Sequence, residues 1–154
     1  MLHRAAVAFM ASLCFAFSGA VSQAASPPAP MQLPPQPKVH PAALPAEFML
    51  VSPCIPGMGE HWANLKKPLH ASTIYGTYQG KPVFTEIMLL QADFASGRNF
   101  TDTLKPLPGY KIDHVDIEFL PHGHPGMPYP HYDIHGYYVS HAAHAKYCAG
   151  SKAM

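Results

Sequence analysis

The sequence predicts a small, mainly β domain, and three observations carry that expectation. Thr73 to Tyr78 and Lys81 to Leu90 are β-branched and aromatic runs separated by Gln79-Gly80, the signature of a hairpin. Lys111 to Leu120 alternates apolar and polar residues, and His131 to Val139 repeats the alternation. Only Ser140 to Cys148 has the composition of a helix, and a short one. The expected architecture is a small antiparallel β-barrel or sandwich with long loops and a short C-terminal helix, an α+β arrangement being the alternative.

Taken in order, Met1 to about Ala24 has the three parts of a cleavable export signal. Arg4 supplies an early charge, Ala5 to Phe17 is uncharged and apolar, and Ser22-Gln23-Ala24 puts small residues at the exit. The apolar run is shorter than the roughly 20 residues of a spanning helix. The chain is therefore expected in the periplasm or secreted, with no integral membrane segment after cleavage. Residues 25–45 hold eight prolines between Ser26 and Pro45 and are expected to form an extended, disordered tether outside the core. One β-rich domain should occupy 46–150. In it, Ala46 to Val51 is an apolar lead-in, and Ser52 to Ala63, with Pro53, Pro56, Gly57 and Gly59, reads as an ordered loop. Asp93 to Gly109 is polar, broken by Gly97, Pro106 and Pro108, and reads as loop or short helix.

Removing residues 1–24 takes away Arg4 and His3, which leaves nine Lys and Arg against nine Asp and Glu, and ten histidines. A chain with no basic stripe is a poor partner for nucleic acid. Ten imidazoles make its charge responsive between about pH 5 and 8. Cys54 and Cys148 remain near the two ends of the domain, and in an oxidising compartment the expected outcome is a disulfide. Phosphate loops, Cys-x-x-Cys pairs, haem attachment motifs and serine-nucleophile signatures are missing from the sequence.

The histidines carry the chemistry. Side chains alternate along a strand, so His131, Asp133 and His135 share one face of the last strand, expected to point inward. His114, Asp116 and Glu118 share a face of the preceding strand, with Val115, Ile117 and Phe119 opposite; there the polar face is expected in water. His61 sits in Gly57-Met58-Gly59-Glu60-His61-Trp62, where glycines allow a sharp turn. Glu86 is a lone charge in an apolar run, a setting in which a carboxylate is paired or bound to a metal. His122 and His124 on a Gly/Pro-rich loop, and His141 and His144 three apart on the helix, are expected to be solvated; the alternative is that they form a second site.

The chain resembles a little-characterised family of secreted bacterial proteins. The resemblance rests on Gly57 to Trp62 as Gly-Met-Gly-x-His-Trp, on Pro130 to Tyr137 as Pro-His-(aromatic)-Asp-x-His-x-Tyr, and on the Tyr75 to Lys81 hairpin followed by Glu86. It implies a shared site of His61, Glu86, His131 and His135. The expected ligand is a divalent transition metal, zinc or copper, held by those four residues, with His114, Asp116 or Asp133 orienting an imidazole or substituting as a ligand. Two further readings stand beside metal binding. One is a metal-dependent hydrolase or lyase with Glu60 or Asp116 as base. The other is a pH-responsive ligand-binding or assembly module, for which a homo-oligomer is one expected form.

Overall fold

Six strands form a single antiparallel sheet in the order β1-β2-β3-β4-β6-β5. The computed structural model describes residues 31–151, so the expected export signal and the first part of the tether lie outside the described residues. The strands are β1 (Met49–Ile55), β2 (Gly59–Ala63), β3 (Thr73–Tyr78), β4 (Lys81–Leu90), β5 (His114–Leu120) and β6 (His131–Tyr137). Two short helices, α1 (Gln91–Ala95) and α2 (His141–His144), and a 3-10 turn at Leu69–Ala71 complete the elements among the described residues. The mainly β class, the short C-terminal helix and the Cys54–Cys148 disulfide are as the sequence predicts. The expected closure does not occur. β1 and β5 end the sheet without pairing with each other, so it is neither a barrel nor a sandwich. Loops and helices, rather than more strands, cover its faces.

The β3–β4 hairpin turns at Gln79-Gly80, where both residues have positive φ (52° and 74°). That conformation matches the twist of the flanking strands. The expected loop over Ser52 to Ala63 is instead the β1–β2 hairpin, with β1 at the sheet edge. Pro53 is tolerated there, and register shifts on either side of Ser52 break the alternation that would have revealed the strand.

A long connection carries the chain from β4 across β6 to β5, which then pairs back onto β6. Glu86 on β4, His135 on β6 and Asp116 on β5 thereby fall on one cross-strand line. This register corrects the expectation for β5. Its apolar row lies outward, with Val115, Ile117 and Phe119 exposed by 47%, 64% and 43%. Its His114-Asp116-Glu118 row lies on the side of Glu86 and His135, with His114 and Asp116 half-buried there and Glu118 exposed as expected. A strand cannot turn its faces independently, and here the acidic and imidazole row joins other imidazoles across β6.

Leu69, Ile74, Met88 and Met127 fill one end of that inner face, and Phe84 and Tyr137 the other. On the opposite face Trp62, Leu50 and Leu107 pack together with Leu44. Leu44 belongs to the stretch expected to be a loose tether. Over its described part, that stretch is docked: Pro41 and Leu44 are buried, and the Gln36 amide bonds the backbone N–H and carbonyl of Leu50, each at 2.9 Å. The Gln36 side chain satisfies the edge strand at Leu50, and turns closed by Leu44 N–H to the Pro41 carbonyl and Phe48 N–H to the Pro45 carbonyl fold the rest of the segment toward β1.

Candidate metal centre

His61 on β2, Glu86 on β4 and His135 on β6 project from the inner face and converge. Each can offer one ligand atom, and the three atoms lie within 4.8 Å of one another. Glu86 Oε2 is 3.8 Å from His61 Nε2 and 3.7 Å from His135 Nε2. Gly76 on β3, between β2 and β4, makes this approach possible. A Cβ there would collide with the ring of Phe84, which packs edge-on against both His61 and His135. Glu86 and His135 are each 1% exposed. Among the described residues, Glu86 Oε2 and both ring nitrogens of His135 have no hydrogen-bond partner. Buried polar atoms in that state are costly unless something else satisfies them.

Electrostatics agree with that geometry. Burial pulls the His61 imidazole down to about 4, helped by the nearby His124, and pulls His135 down to about 3, helped by His61 and His144. Both rings are therefore neutral at pH 7 and carry a free lone pair. Burial, with Asp133 and Glu118 close by, pushes the Glu86 carboxyl well above the usual carboxylate range. Ser52 bridges the Pro53 carbonyl at 3.2 Å and His61 Nδ1 at 2.9 Å; with its hydroxyl donating to the carbonyl, its oxygen accepts the Nδ1 proton, the tautomer that metal binding through Nε2 requires. Nε2 is left bare toward Glu86.

His131 does not join this group. It and His135 sit four residues apart on one strand, about 13 Å at ~3.3 Å per residue, too far to share an ion. His131 instead forms a second cluster with Asp133 and His124. Its Nδ1 donates to the Tyr129 carbonyl at 2.6 Å, and its Nε2 lies 3.0 Å from Asp133 Oδ1 without the geometry of a hydrogen bond. His124 Nδ1 likewise donates, to the Pro125 carbonyl, and Nε2 faces Asp133 Oδ2 at 4.0 Å. Asp133, expected to orient an imidazole, thus stands among the potential ligands. Burial raises its carboxyl, against the opposing pull of His131 and His124. The loop places His124 by folding back on itself, His124 and Met127 exchanging backbone hydrogen bonds at 3.0 and 2.9 Å.

His114, Asp116, His141 and His144 form a third cluster between β5 and α2. His144 is buried rather than solvated, because its ring stacks on Tyr137 at 3.8 Å. His122 is exposed at the mouth of a cleft. Glu60, one of the two expected bases, sits on the opposite face from its neighbour His61 and accepts the Thr77 hydroxyl, which itself accepts from the Trp62 indole. It cannot reach the site. Ser52 and the Tyr129 carbonyl have no signature in the sequence; hydroxyls and carbonyls occur throughout it, and only folding distinguishes these two.

A cleft of about 1410 Å³ opens beside both buried clusters. His61, Glu86, His124 and Asp133 line it, with Ile55, Met58, Leu69 and Met127 among its apolar walls. A smaller pocket of about 570 Å³ between α1 and Tyr129–Pro130 contains no His, Asp or Glu.

No family model matches the chain, and no curated protein is similar to it at a significant level. Among solved structures it is similar to a hypothetical protein from Thermus thermophilus, at 26% identity over 58% of this chain and 80% of that one, with a TM-score of 0.49.

Proposed function

We propose that this is an exported protein that binds a divalent transition metal at His61, Glu86 and His135. One observation carries the reading: a buried Glu86 carboxyl oxygen and both ring nitrogens of His135 lack hydrogen-bond partners, and the neutral His61 ring brings Nε2 to within 3.8 Å of the same oxygen. Nitrogen and oxygen donors of this kind suit zinc or copper. The Ser52 bond supplies the support that metal-binding imidazoles require on their other nitrogen. The disulfide and the lack, among the described residues, of a helix long and apolar enough to cross a membrane accord with export. Equilibrium dialysis followed by metal analysis tests the reading. The expected result is uptake of zinc or copper from which Glu86→Gln removes about one equivalent; a wild-type protein that takes up neither metal, or a variant that takes up as much as wild type, would sink it.

The cleft favours a second reading, metal-assisted hydrolysis or elimination. Three protein donors leave a coordination position open, as catalytic zinc sites do, and the cleft offers room for a substrate with an apolar body. Turnover of ester and phosphoester panels by the zinc-loaded protein, lost in Glu86→Gln, would support it. Uniform inactivity would leave binding as the function.

A further inference from the structure

The third cluster has a different construction. His114 and Asp116 stand on β5, and His141 and His144 on α2, which folds over the inner face of the sheet. The tautomers of two rings follow from their partners. His144 Nδ1 donates to the Gly57 carbonyl at 2.7 Å, since a carbonyl can only accept. His114 Nδ1 donates to the Asp113 carboxylate at 3.0 Å. In the neutral rings both Nε2 atoms are then bare, and they face one another at 3.2 Å. Two lone pairs at that distance repel unless a proton or a cation lies between them. A shared proton would occupy only those two nitrogens. It would give no role to His141, whose Nδ1 comes within 3.8 Å of Asp116 Oδ2, or to Asp116, whose Oδ2 lies 3.9 and 4.0 Å from the two Nε2 atoms.

A four-coordinate ion accounts for all four. Donors about 2.0–2.1 Å from zinc at tetrahedral angles lie roughly 3.3 Å apart. The His114–His144 separation already has that value, the three distances to Asp116 Oδ2 exceed it by about half an ångström or slightly more, and all four atoms lie within 4.8 Å of one another. We propose that His114 Nε2, His144 Nε2, His141 Nδ1 and Asp116 Oδ2 form a second metal site, for zinc or copper(II), that clips α2 to β5. It is separate from the buried site at His61, Glu86 and His135 and does not depend on it. Four protein donors fill the coordination of a tetrahedral ion, so the site is closed and its role is structural or storage rather than catalytic. It is also reachable: the His141 side chain is 73% exposed, so an ion can enter without unfolding the sheet.

Zinc titration by calorimetry into a protein carrying both Glu86→Gln and His131→Ala, which silences the two buried clusters, tests the proposal. The expected result is one remaining zinc site, weakened at least tenfold by adding His141→Ala and again by adding Asp116→Asn. A folded double variant that binds no zinc overturns the proposal, as does an affinity indifferent to His141→Ala. Wild-type protein that behaves as the double variant does would remove the buried site and leave this one standing. If the double variant does not fold, crystals of wild type and of the single His141→Ala variant, exposed surface in both, are grown with zinc and compared at the zinc edge. An anomalous peak between His114 and His144 that disappears in the variant supports the site, and its absence from wild type overturns it.

Discussion

At the scale of single residues, Glu86 is held against its own preference. Its raised carboxyl means that the metal-free native state keeps a proton that the unfolded chain releases near pH 4.5. The unfolded state then binds fewer protons, and stability falls as pH rises above about 4.5. Glu86→Gln keeps the shape without the ionisation. In chelator, the variant is expected to gain on wild type progressively from pH 4.5 to 8 in urea unfolding; a constant difference across that range would refute the account. His61 and His135 act with the opposite sign. Their native pKa values, about 4 and about 3, lie below the unfolded value, so the unfolded state takes up protons first as pH falls. Their contribution is intact above about pH 6.5 and is lost progressively as pH falls to about 3–4. Ser52 gives a gentler probe. Ser52→Ala removes only the acceptor for His61 Nδ1, and metal affinity should drop about 10–100-fold with the fold intact. Dialysis showing unchanged affinity would mean that the hydroxyl does not set the tautomer.

At the scale of elements, the sheet explains which pairs of residues can cooperate. Neighbours across strands meet, as Glu86 and His135 do in register on β4 and β6. Residues four apart along one strand do not, which separates His131 from His135. His131→Ala should therefore leave the affinity of the His61 site within a few-fold of wild type, and comparable losses from His131→Ala and His135→Ala would contradict the two-cluster arrangement. The expected four-residue site joined the two histidines because they share a strand face, and the rise of about 3.3 Å per residue, once β6 is known to be extended, separates them. The orientation of β5 is not legible. Alternation says that Val115 and Asp116 point to opposite sides, but not which side meets the protein, and hydrophobicity alone points the wrong way. Gly76 exemplifies a constraint from close packing. Its missing Cβ admits the Phe84 ring, so Gly76→Ala should destabilise the sheet by about 1–3 kcal/mol and disturb His61 and His135 with it.

At the scale of the whole molecule, the Cys54–Cys148 disulfide joins residues 94 apart and ties the end of the chain beyond α2 to the edge strand β1. In the chain-entropy model a loop of that size corresponds to roughly 4.7 kcal/mol. Reduction, or Cys54→Ala with Cys148→Ala, should lower the melting temperature by well over ten degrees for a domain of this size. It should also weaken zinc binding at His141 and His144, because α2 then loses one of its fastenings. Saturating metal works in the other direction. A ligand at a hundred times its Kd adds about 2.7 kcal/mol, so thermal unfolding with zinc should shift upward by about ten degrees or more relative to chelator.

Some of this protein is settled by local chemistry, which a sequence carries directly. The β3–β4 hairpin follows from Gln79-Gly80 between two β-rich runs, the β class from alternation, the disulfide from two cysteines, and Glu86 stands out because a lone carboxylate in an apolar run needs a partner. Other features exist only after long-range pairing. The crossing that inserts β6 between β4 and β5, the open sheet, the inward acid row of β5, and the sorting of His61, Glu86, His131 and His135 into two clusters depend on which strands are neighbours and in what register. Register is set by the sum of many weak contacts between distant segments, and a motif read along the chain has no access to that sum.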